Sequence, residues 1–295
     1  MLYDNYDALK DFCISLGLSD DVINKIYTTR NFRVLNASLD NDSLTYMESR
    51  DALNGIMIPK GASVLVRKEH SFQSQFDAII VDNPCFIFWS LYEFVERSKE
   101  FKHHSQISSS CTVGTNTIIS KLGVIIEDDV VIDDCVVIKP GVVIKRGAKI
   151  GPGCVLGSDG LEVKDTIFGR TVISHKGGVV IEENVEIGAL CTINQGLGDT
   201  ATQIGTNTKI DCGVHIAHSC FIGPRNVIAA NVTFGGSVKT GSDVFLGLNS
   251  TIKNGVKLAD GCYIGASSFV SESYLFAVKL IPRAAKPLPL RSMHE

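Results

Sequence analysis

Large aliphatic residues recur at every sixth position through the second half of the chain. One series ends at Leu156, and a second resumes at Ile181 and continues to Val270. A smaller apolar residue stands two positions before most of the large ones, and Gly, Asp, Asn and Pro occupy many positions between them. The first series comprises Ile126, Ile132, Ile138, Ile144, Ile150 and Leu156.

This period matches neither the 3.6-residue period of an α-helix nor the two-residue alternation of an ordinary strand. It predicts a parallel β-helix with three flat faces, in which each coil takes about 18 residues. The large residue points into the prism, and the smaller one fills a corner. Each repeat buries its apolar side only because its neighbours stack on it. We expect roughly nine coils, about 4.8 Å apart as hydrogen-bonded strands are.

Cysteine and threonine at core positions of the repeat lead to more specific predictions about the core. Cys154, Cys191, Cys220 and Cys262 take the place of the smaller apolar residue. The chain has nine cysteines, scattered without a C-x-x-C pair, so we expect buried thiols rather than disulfides or zinc ligands. Thr240 is polar at a position otherwise held by large apolar residues, which requires that its hydroxyl bonds to the backbone.

The repeat is interrupted by the segment "SDGLEVKDTIFGRTVISHK", residues 158–176. We expect this segment to be a loop that leaves the prism. A long excursion from a rigid scaffold is more often functional than decorative. A second, shorter irregularity is the eleven-residue step from Ile193 to Ile204.

The first hundred residues lack the repeat and predict a small α/β domain. Residues 5–26 indicate a helical segment, "ASVLVRK" and "FDAIIVDN" indicate strands, and "PCFIFWSLYEFVERSKEF" indicates a helix that begins after a proline. The overall prediction is a mainly β chain. Its domains are residues 1–104 (small α/β), 105–273 (β-helix) and 274–295 (C-terminal tail).

Composition and charge narrow the class of protein. Of 295 residues, 44% are hydrophobic and 20% are charged, which indicates a folded globular chain. A net charge of −4 is too balanced to indicate a nucleic-acid or membrane surface. No apolar run is as long as a transmembrane segment, and the start lacks a signal-peptide pattern, so we expect a cytoplasmic protein.

Two histidines stand out in "VHIAHSCFIG", His215 and His218. They could pack in the structure, bind a metal ion or act as a catalytic base. A metal site is disfavoured because no third ligand is suggested nearby. One coil is 18 residues, so the residue stacked on His218 is Gly236. A glycine there exposes its backbone N–H and permits close approach.

The order of several segments resembles a known enzyme family. An α/β domain with "DSLTYMES" and "VDNP" is followed by hexapeptide repeats and then by "GSDG", "GGVVIEENVEIGA" and "IAHSCFIG". This resembles the UDP-3-O-acyl-glucosamine N-acyltransferases of lipid A synthesis, over about residues 40–270. The segment "VFLGLNSTIKNGVKLADGCYIGASSFV" also resembles N-acetyltransferases that act on nucleotide-linked 4-amino sugars. Both families imply a left-handed β-helix, a homotrimer and acyl transfer from a thioester to a sugar amine.

The resemblance assigns roles to individual residues. It implies that His218 is the catalytic base and that the Gly236 N–H binds the oxyanion and the donor. Such a base fits the chemistry, because a neutral imidazole is well matched to removing a proton near pH 7. Tyr46 is implied to stack on the nucleobase, and Ser49 takes the place of a nucleotide-binding asparagine. His215 could line the sugar site or only pack.

The donor is acyl-ACP in the first family and acyl-CoA in the second, and no bound cofactor or metal is implied. Lys239 and Lys253 could meet donor phosphates, although solvated lysines are the more common outcome. The chain departs from the lipid A enzymes at Ala52, at "LEV" (residues 161–163), at Gly255 and in its proline-containing tail. Ser219 stands where both families have an asparagine or glutamate after the base, which leaves open what orients His218.

The sequence therefore predicts an N-acyltransferase acting on a nucleotide-linked amino sugar, in lipid A or surface-glycan synthesis. One alternative is an acetyl-CoA-dependent N-acetyltransferase of O-antigen or glycan synthesis. A non-enzymatic alternative is a hexapeptide scaffold or sugar-nucleotide binding protein. We expect partners of three kinds: the nucleotide-linked amino sugar, an acyl carrier protein or coenzyme A, and further copies of this chain. We expect no nucleic acid among them.

Overall fold

The structure is a computed structural model, and it describes residues 6–29, 31–33, 39–49, 58–70 and 76–282. Within these ranges the chain forms a small α/β region followed by a parallel β-helix, as the sequence predicts. No helix in these ranges has the length and apolar character needed to cross a membrane. Most of the expected tail, residues 283–295, lies outside the described residues, as does Ala52.

The α/β region packs helices against a four-stranded parallel sheet, in which the strands lie side by side in chain order. The sequence predicts two of these strands, Ser63–Val66 and Asp77–Ile80, but not the other two, Asn31–Phe32 and Ser43–Tyr46. The helices are α1 (Tyr6–Ser15), α2 (Asp20–Thr28) and α3 (Pro84–Ser98), with a 3-10 turn at Lys68–His70. The strands are β1 (Asn31–Phe32), β2 (Ser43–Tyr46), β3 (Ser63–Val66) and β4 (Asp77–Ile80).

Of the two helical segments expected from the sequence, one is divided into two helices and the other begins where expected. The helical segment expected over residues 5–26 is divided into α1 and α2, because the chain turns at Gly17 with a φ of 74°, which favours glycine. Helix α3 begins at Pro84 as expected. Asn83 caps it by accepting a hydrogen bond from the Phe86 N–H, and Pro84 removes an N–H that would lack a helical partner.

The β-helix has three parallel sheets of eight, nine and eight strands. The first face holds Gln106–Ile107, Ile125–Ile126, Val142–Ile144, Val179–Ile181, Thr202–Ile204, Phe221–Ile222, Lys239–Thr240 and Lys257–Leu258. The second holds Thr112–Val113, Val131–Ile132, Lys149–Ile150, Glu186–Ile187, Lys209–Ile210, Val227–Ile228, Phe245–Leu246, Tyr263–Ile264 and Lys279–Leu280. The third holds Ile118–Ile119, Val137–Ile138, Val155–Ser158, Thr192–Asn194, His215–Ile216, Thr233–Phe234, Thr251–Ile252 and Phe269–Val270.

The core of the β-helix follows the six-residue pattern. The large aliphatic residues from Ile126 to Val270 are buried in one continuous cluster, together with the smaller residues at the corners. The strand register carries the 18-residue step, for example Ile216 beside Phe234 and Phe234 beside Ile252. Because each coil covers its neighbours, the position of a side chain within a repeat fixes what stacks on it.

The unusual core residues behave as expected. All four corner cysteines are buried and none forms a disulfide; the Cys154 and Cys220 thiols donate to the carbonyl groups of Gly188 and Gly235. Thr240 is buried, and its Oγ1 accepts from the Gly223 N–H at 3.0 Å. It also accepts from Asn226 Nδ2, so the hydroxyl oxygen accepts two hydrogen bonds.

Two excursions leave the β-helix on neighbouring coils. Residues 159–178 form the longer one, which contains an antiparallel hairpin of Val163–Thr166 and Gly169–Val172 rather than an irregular loop. Residues 195–201 form the shorter one. They begin side by side, because the Gln195 N–H donates to the Ser158 carbonyl. The next coil carries His218.

Candidate functional site

His218 lies at a corner of the β-helix, just after the strand His215–Ile216. The next residue, Ser219, has a φ of 58° and turns the chain onto the next face. Its N–H donates to Thr202 Oγ1 at 2.8 Å, and its Oγ accepts from the Leu197 N–H at 3.1 Å. Ser219 therefore fixes the backbone beside His218 and ties it to the shorter excursion.

The His218 ring lies against two glycines. A Cβ atom built on Gly236 would come 2.6 Å from His218 Nε2, and one built on Gly160 would come 2.8 Å from its Cδ2. Both distances are shorter than any ordinary contact, so a side chain at either position would displace the ring. Gly236 stacks one coil on from His218, as the sequence predicts, and Gly160 belongs to the longer excursion.

Gly236 also has an unused backbone donor. The neighbouring N–H groups of Gly235 and Ser237 donate to the carbonyls of Ile252 and His218. The Gly236 N–H has no such acceptor within the described chain. An imidazole nitrogen and a free N–H thus lie together, which are the two elements that acyl transfer requires: a base and an oxyanion donor.

A carboxylate from the longer excursion faces the same nitrogen. Glu162 Oε2 lies 4.0 Å from His218 Nε2, and 26% of the Glu162 side chain is exposed against 12% of His218. Its other oxygen, Oε1, pairs with Lys164 Nζ at 2.8 Å. The Glu162 carbonyl accepts from the N–H of Ile173, which is fully buried, so the backbone of this residue is fixed.

A second histidine, His175, completes the wall of the site. Its ring centroid lies 5.0 Å from that of His218 in an edge-to-face arrangement, and its Nε2 would be 2.9 Å from a Cβ on Gly160. The side chain is 1% exposed, and neither ring nitrogen has a hydrogen-bond partner in the described chain. An unpartnered buried polar group is costly, so its polarity fits a site that receives a polar ligand.

Burial sets the protonation of both rings. Desolvation lowers the pKa of His218, while the Glu162 carboxylate raises it and so opposes that shift. Desolvation also lowers the pKa of His175, and the nearby His218 lowers it further. Both shifts favour the neutral imidazole, which is the state in which His218 can accept a proton.

Amide and carboxylate groups extend the polar wall. Gln195 of the shorter excursion donates from Nε2 to Asp159 Oδ1 at 2.9 Å, while its buried Oε1 has no partner in the described residues. Ser158 donates to Asn194 Oδ1 at 2.9 Å. These bonds fasten the start of the longer excursion to the shorter one.

Helix α3 holds both excursions in place. The Tyr92 hydroxyl accepts from the Gly198 N–H and lies 3.5 Å from the Ser174 carbonyl oxygen, to which it can donate. Glu93, which is 1% exposed, accepts from the N–H and the hydroxyl of Ser174 at 2.8 and 3.0 Å. Arg97 pairs with the same carboxylate. Because Ser174 precedes His175, the α/β region fixes a wall of the site.

Comparison with known proteins agrees with this architecture. The family model "Bacterial transferase hexapeptide (six repeats)" matches residues 123–158 and 201–236, and "Hexapeptide repeat of succinyl-transferase" matches residues 237–272. The UDP-3-O-acylglucosamine N-acyltransferase of Helicobacter pylori strain HPAG1 is 30% identical over 266 residues, which cover 82% of this chain and 77% of that protein. The chain belongs to the UDP-3-O-acylglucosamine N-acyltransferase family.

Other members of this family match over different lengths. The enzyme of that name from Helicobacter pylori strain 26695 is 31% identical over 238 residues, which cover 72% of this chain and 70% of that protein. The one from Wolinella succinogenes is 41% identical, but over 97 residues that span 32% of this chain and 30% of that protein.

Three further residues predicted from the sequence are His215, Tyr46 and Ser49. His215 is half-buried, and its Nδ1 is hydrogen-bonded to Thr192 Oγ1 at 2.8 Å on the outside of the third face. Tyr46 is half-buried at the end of β2, where its hydroxyl accepts from Trp89 Nε1 and its ring packs on Phe88. Ser49 is exposed beyond β2.

The two candidate donor-binding lysines are exposed on the β-helix. Lys239 lies on the first face, in register with Lys257. Lys253 follows the third-face strand Thr251–Ile252, one coil on from Gly235. No contact joins either lysine to His218 in the described residues. No group of three or more potential metal ligands is found in the described residues either.

Three residues of the site were not predicted as site residues: Glu162, His175 and Gln195. All come from the two excursions, where the six-residue register that located Gly236 is absent. The one feature of the sequence that could have indicated these three residues is that their side chains are polar. Glu162 lies in "LEV", already noted as a departure from the family pattern, and His175 lies within a segment expected to be functional as a whole.

Proposed function

We propose that this protein transfers an acyl group from a thioester to the amine of a nucleotide-linked amino sugar at His218. The single observation that supports this best is the contact between His218 Nε2 and Gly236, whose N–H is free in the described chain. The relatives named above are N-acyltransferases of UDP-3-O-acylglucosamine, which makes that nucleotide sugar the first acceptor to test.

The reaction then proceeds in two linked steps. The amine nitrogen attacks the thioester carbonyl carbon, a C–N bond forms, and the carbonyl oxygen becomes an oxyanion that the Gly236 N–H stabilises. The nitrogen gives one proton to His218 Nε2. The C–S bond then breaks, and the His218 proton passes to the departing thiolate.

The acceptor nucleotide is proposed to bind on the side of the α/β region. Tyr46 offers part of its ring and is held by Trp89 and Phe88, which suits stacking against a nucleobase. Lys164 lies over the Trp89 ring at 5.2 Å and pairs with Glu162. A chain of side-chain contacts therefore links Tyr46 to Glu162 beside His218, and the nucleotide is proposed to lie on this side of the site. Ser49 and His215 are proposed to flank the acceptor.

The donor is proposed to be an acyl-ACP, with acyl-CoA as the second candidate, and to approach at Gly236. Lys239 and Lys253 are proposed contacts for the donor phosphate. We propose a role in lipid A synthesis in the cytoplasm and a homotrimeric assembly. Exposed apolar side chains on the outer faces of the β-helix are consistent with association of subunits: Ile118, Ile125, Val131, Phe221, Val227 and Phe269.

An assay with two acceptors and two donors tests this proposal. Purified protein is incubated with UDP-3-O-acylglucosamine or a nucleotide-linked 4-amino sugar, together with a long-chain acyl-ACP or acetyl-CoA, and products are identified by mass spectrometry. We expect the amide product from UDP-3-O-acylglucosamine and acyl-ACP. Product only from acetyl-CoA and the 4-amino sugar would replace the lipid A role with surface-glycan acetylation. If no combination gave product, the proposal of an acyltransferase would be wrong.

A further inference from the structure

We propose that Glu162 and His218 together hold the acceptor amine, so that Glu162 selects an amine over a hydroxyl as the group to be acylated. This inference rests on the proposed function and names a specificity determinant within the same site. Glu162 is neither the base nor its neighbour in sequence; it reaches the site from the longer excursion, 56 positions before His218.

The separation of the two acceptor atoms is the first argument. Glu162 Oε2 and His218 Nε2 are 4.0 Å apart, which is too far for a direct hydrogen bond. One nitrogen atom placed about 2.9 Å from both would see them at an angle of about 90°, roughly 20° less than the near-tetrahedral angle between two N–H bonds, so each hydrogen bond bends by only about 10°. The gap therefore suits an atom that donates two hydrogens.

The chemistry of the acceptor group is the second argument. An amine has at least two N–H bonds and can satisfy Glu162 and His218 at once. A hydroxyl has one O–H bond and can satisfy only one of them, which leaves a partly buried acceptor unpaired. As the C–N bond forms, the amine nitrogen also becomes positively charged, and the Glu162 carboxylate stabilises that charge. A hydroxyl nucleophile at the same position would gain less.

The surroundings of Glu162 are the third argument. Lys164 Nζ holds Oε1 at 2.8 Å, which leaves Oε2 directed toward His218. The Ile173 N–H donates to the Glu162 carbonyl at 2.8 Å, so the hairpin cannot slide without breaking this bond. With 26% of its side chain exposed, Glu162 remains open to a ligand. The carboxylate is thus fixed and accessible at the same time.

Binding of matched acceptors tests the inference without a donor. Calorimetry compares UDP-3-O-acylglucosamine with the corresponding 3-O-acylglucose nucleotide, in which a hydroxyl replaces the amine. We expect the wild-type protein to prefer the amine, and Glu162→Leu to lose about ten- to hundredfold of that preference. Glu162→Gln, which keeps one acceptor oxygen but no charge, should lie between them.

Glu272→Gln is the matched control, because it removes one exposed carboxylate far along the chain. It should keep the wild-type preference. An equal affinity of the wild-type protein for both nucleotides, or an unchanged preference in Glu162→Leu that retains its wild-type melting curve, would overturn the inference. Absence of acyl transfer in the four-way assay would instead overturn the proposed function, since the binding comparison requires no turnover.

Discussion

The imidazole of His218 and the backbone of Gly236 are in contact across one coil of the β-helix, so closely that a methyl group on Gly236 would come 2.6 Å from Nε2. The contact follows from the 18-residue coil, which stacks residue 236 on residue 218. It joins a titratable ring to a free N–H within the described chain. Both elements of the proposed catalysis are therefore held by the stacked coils of the β-helix.

Gly236→Ala should remove activity while leaving the fold intact. The added methyl group must displace the His218 ring, and we expect kcat to fall about a hundredfold, because the general base is moved out of position while the Gly236 N–H is retained. Asn254→Ala is the control, since residue 254 occupies the same position one coil further on and is exposed. Steady-state kinetics and a melting curve are measured for both. Wild-type activity in Gly236→Ala would mean that this contact has no part in the reaction.

Glu93→Ala should weaken both stability and activity from a distance. The change leaves the N–H and hydroxyl of the half-buried Ser174 without their acceptor, beside His175. We expect the free energy of unfolding to fall by about 1–3 kcal/mol, and kcat to fall with it because a wall of the site loosens. Urea unfolding and steady-state kinetics measure the two effects.

Glu100→Ala, an exposed position just beyond α3, is the comparison for Glu93→Ala and should change neither quantity. If Glu93→Ala unfolded at the wild-type urea concentration with wild-type kcat, the anchoring of the longer excursion by α3 would be refuted.

Stability should fall on acidification because of His175. Burial and the nearby His218 keep the pKa of His175 in the folded protein below its usual value. Between the two pKa values the unfolded chain binds more protons, so this contribution is complete above about pH 6.5 and is lost as the pH falls through the folded-state pKa. We expect the urea midpoint to drop on acidification below that pH.

His175→Gln should make this pH dependence shallower, since it removes one of the buried titrating groups. His103→Gln, at an exposed position before the β-helix, should leave it unchanged. Equilibrium urea unfolding at several pH values measures the slope. An identical slope in the wild-type protein and His175→Gln would show that His175 does not titrate on unfolding in this range.

The sequence predicts the β-helix and the His218–Gly236 contact because a repeat converts spacing into stacking. Once the coil is known to take 18 residues, Gly236 can be assigned without any tertiary information. The same reasoning locates the buried cysteines and explains why Thr240 needs a backbone partner, which Gly223 supplies.

The rest of the site could not be predicted, because the six-residue repeat does not extend into the two excursions. Glu162 and His175 reach His218 through the hairpin and through bonds to α3, which are contacts between residues far apart in sequence. The division of residues 5–26 into two helices has a local cause: Gly17 adopts a left-handed φ, which the apolar pattern on either side does not reveal.

The most direct test of the account is the rate of acyl transfer by His218→Ala, measured by mass spectrometry with the donor and acceptor that the wild-type protein uses. We expect a loss of about a hundredfold or more, the contribution of a general base. Binding of the nucleotide sugar should survive in weakened form, because the amine loses one of its two proposed acceptors while the rest of the site is retained. A wild-type rate would contradict the account and would exclude His218 as the base.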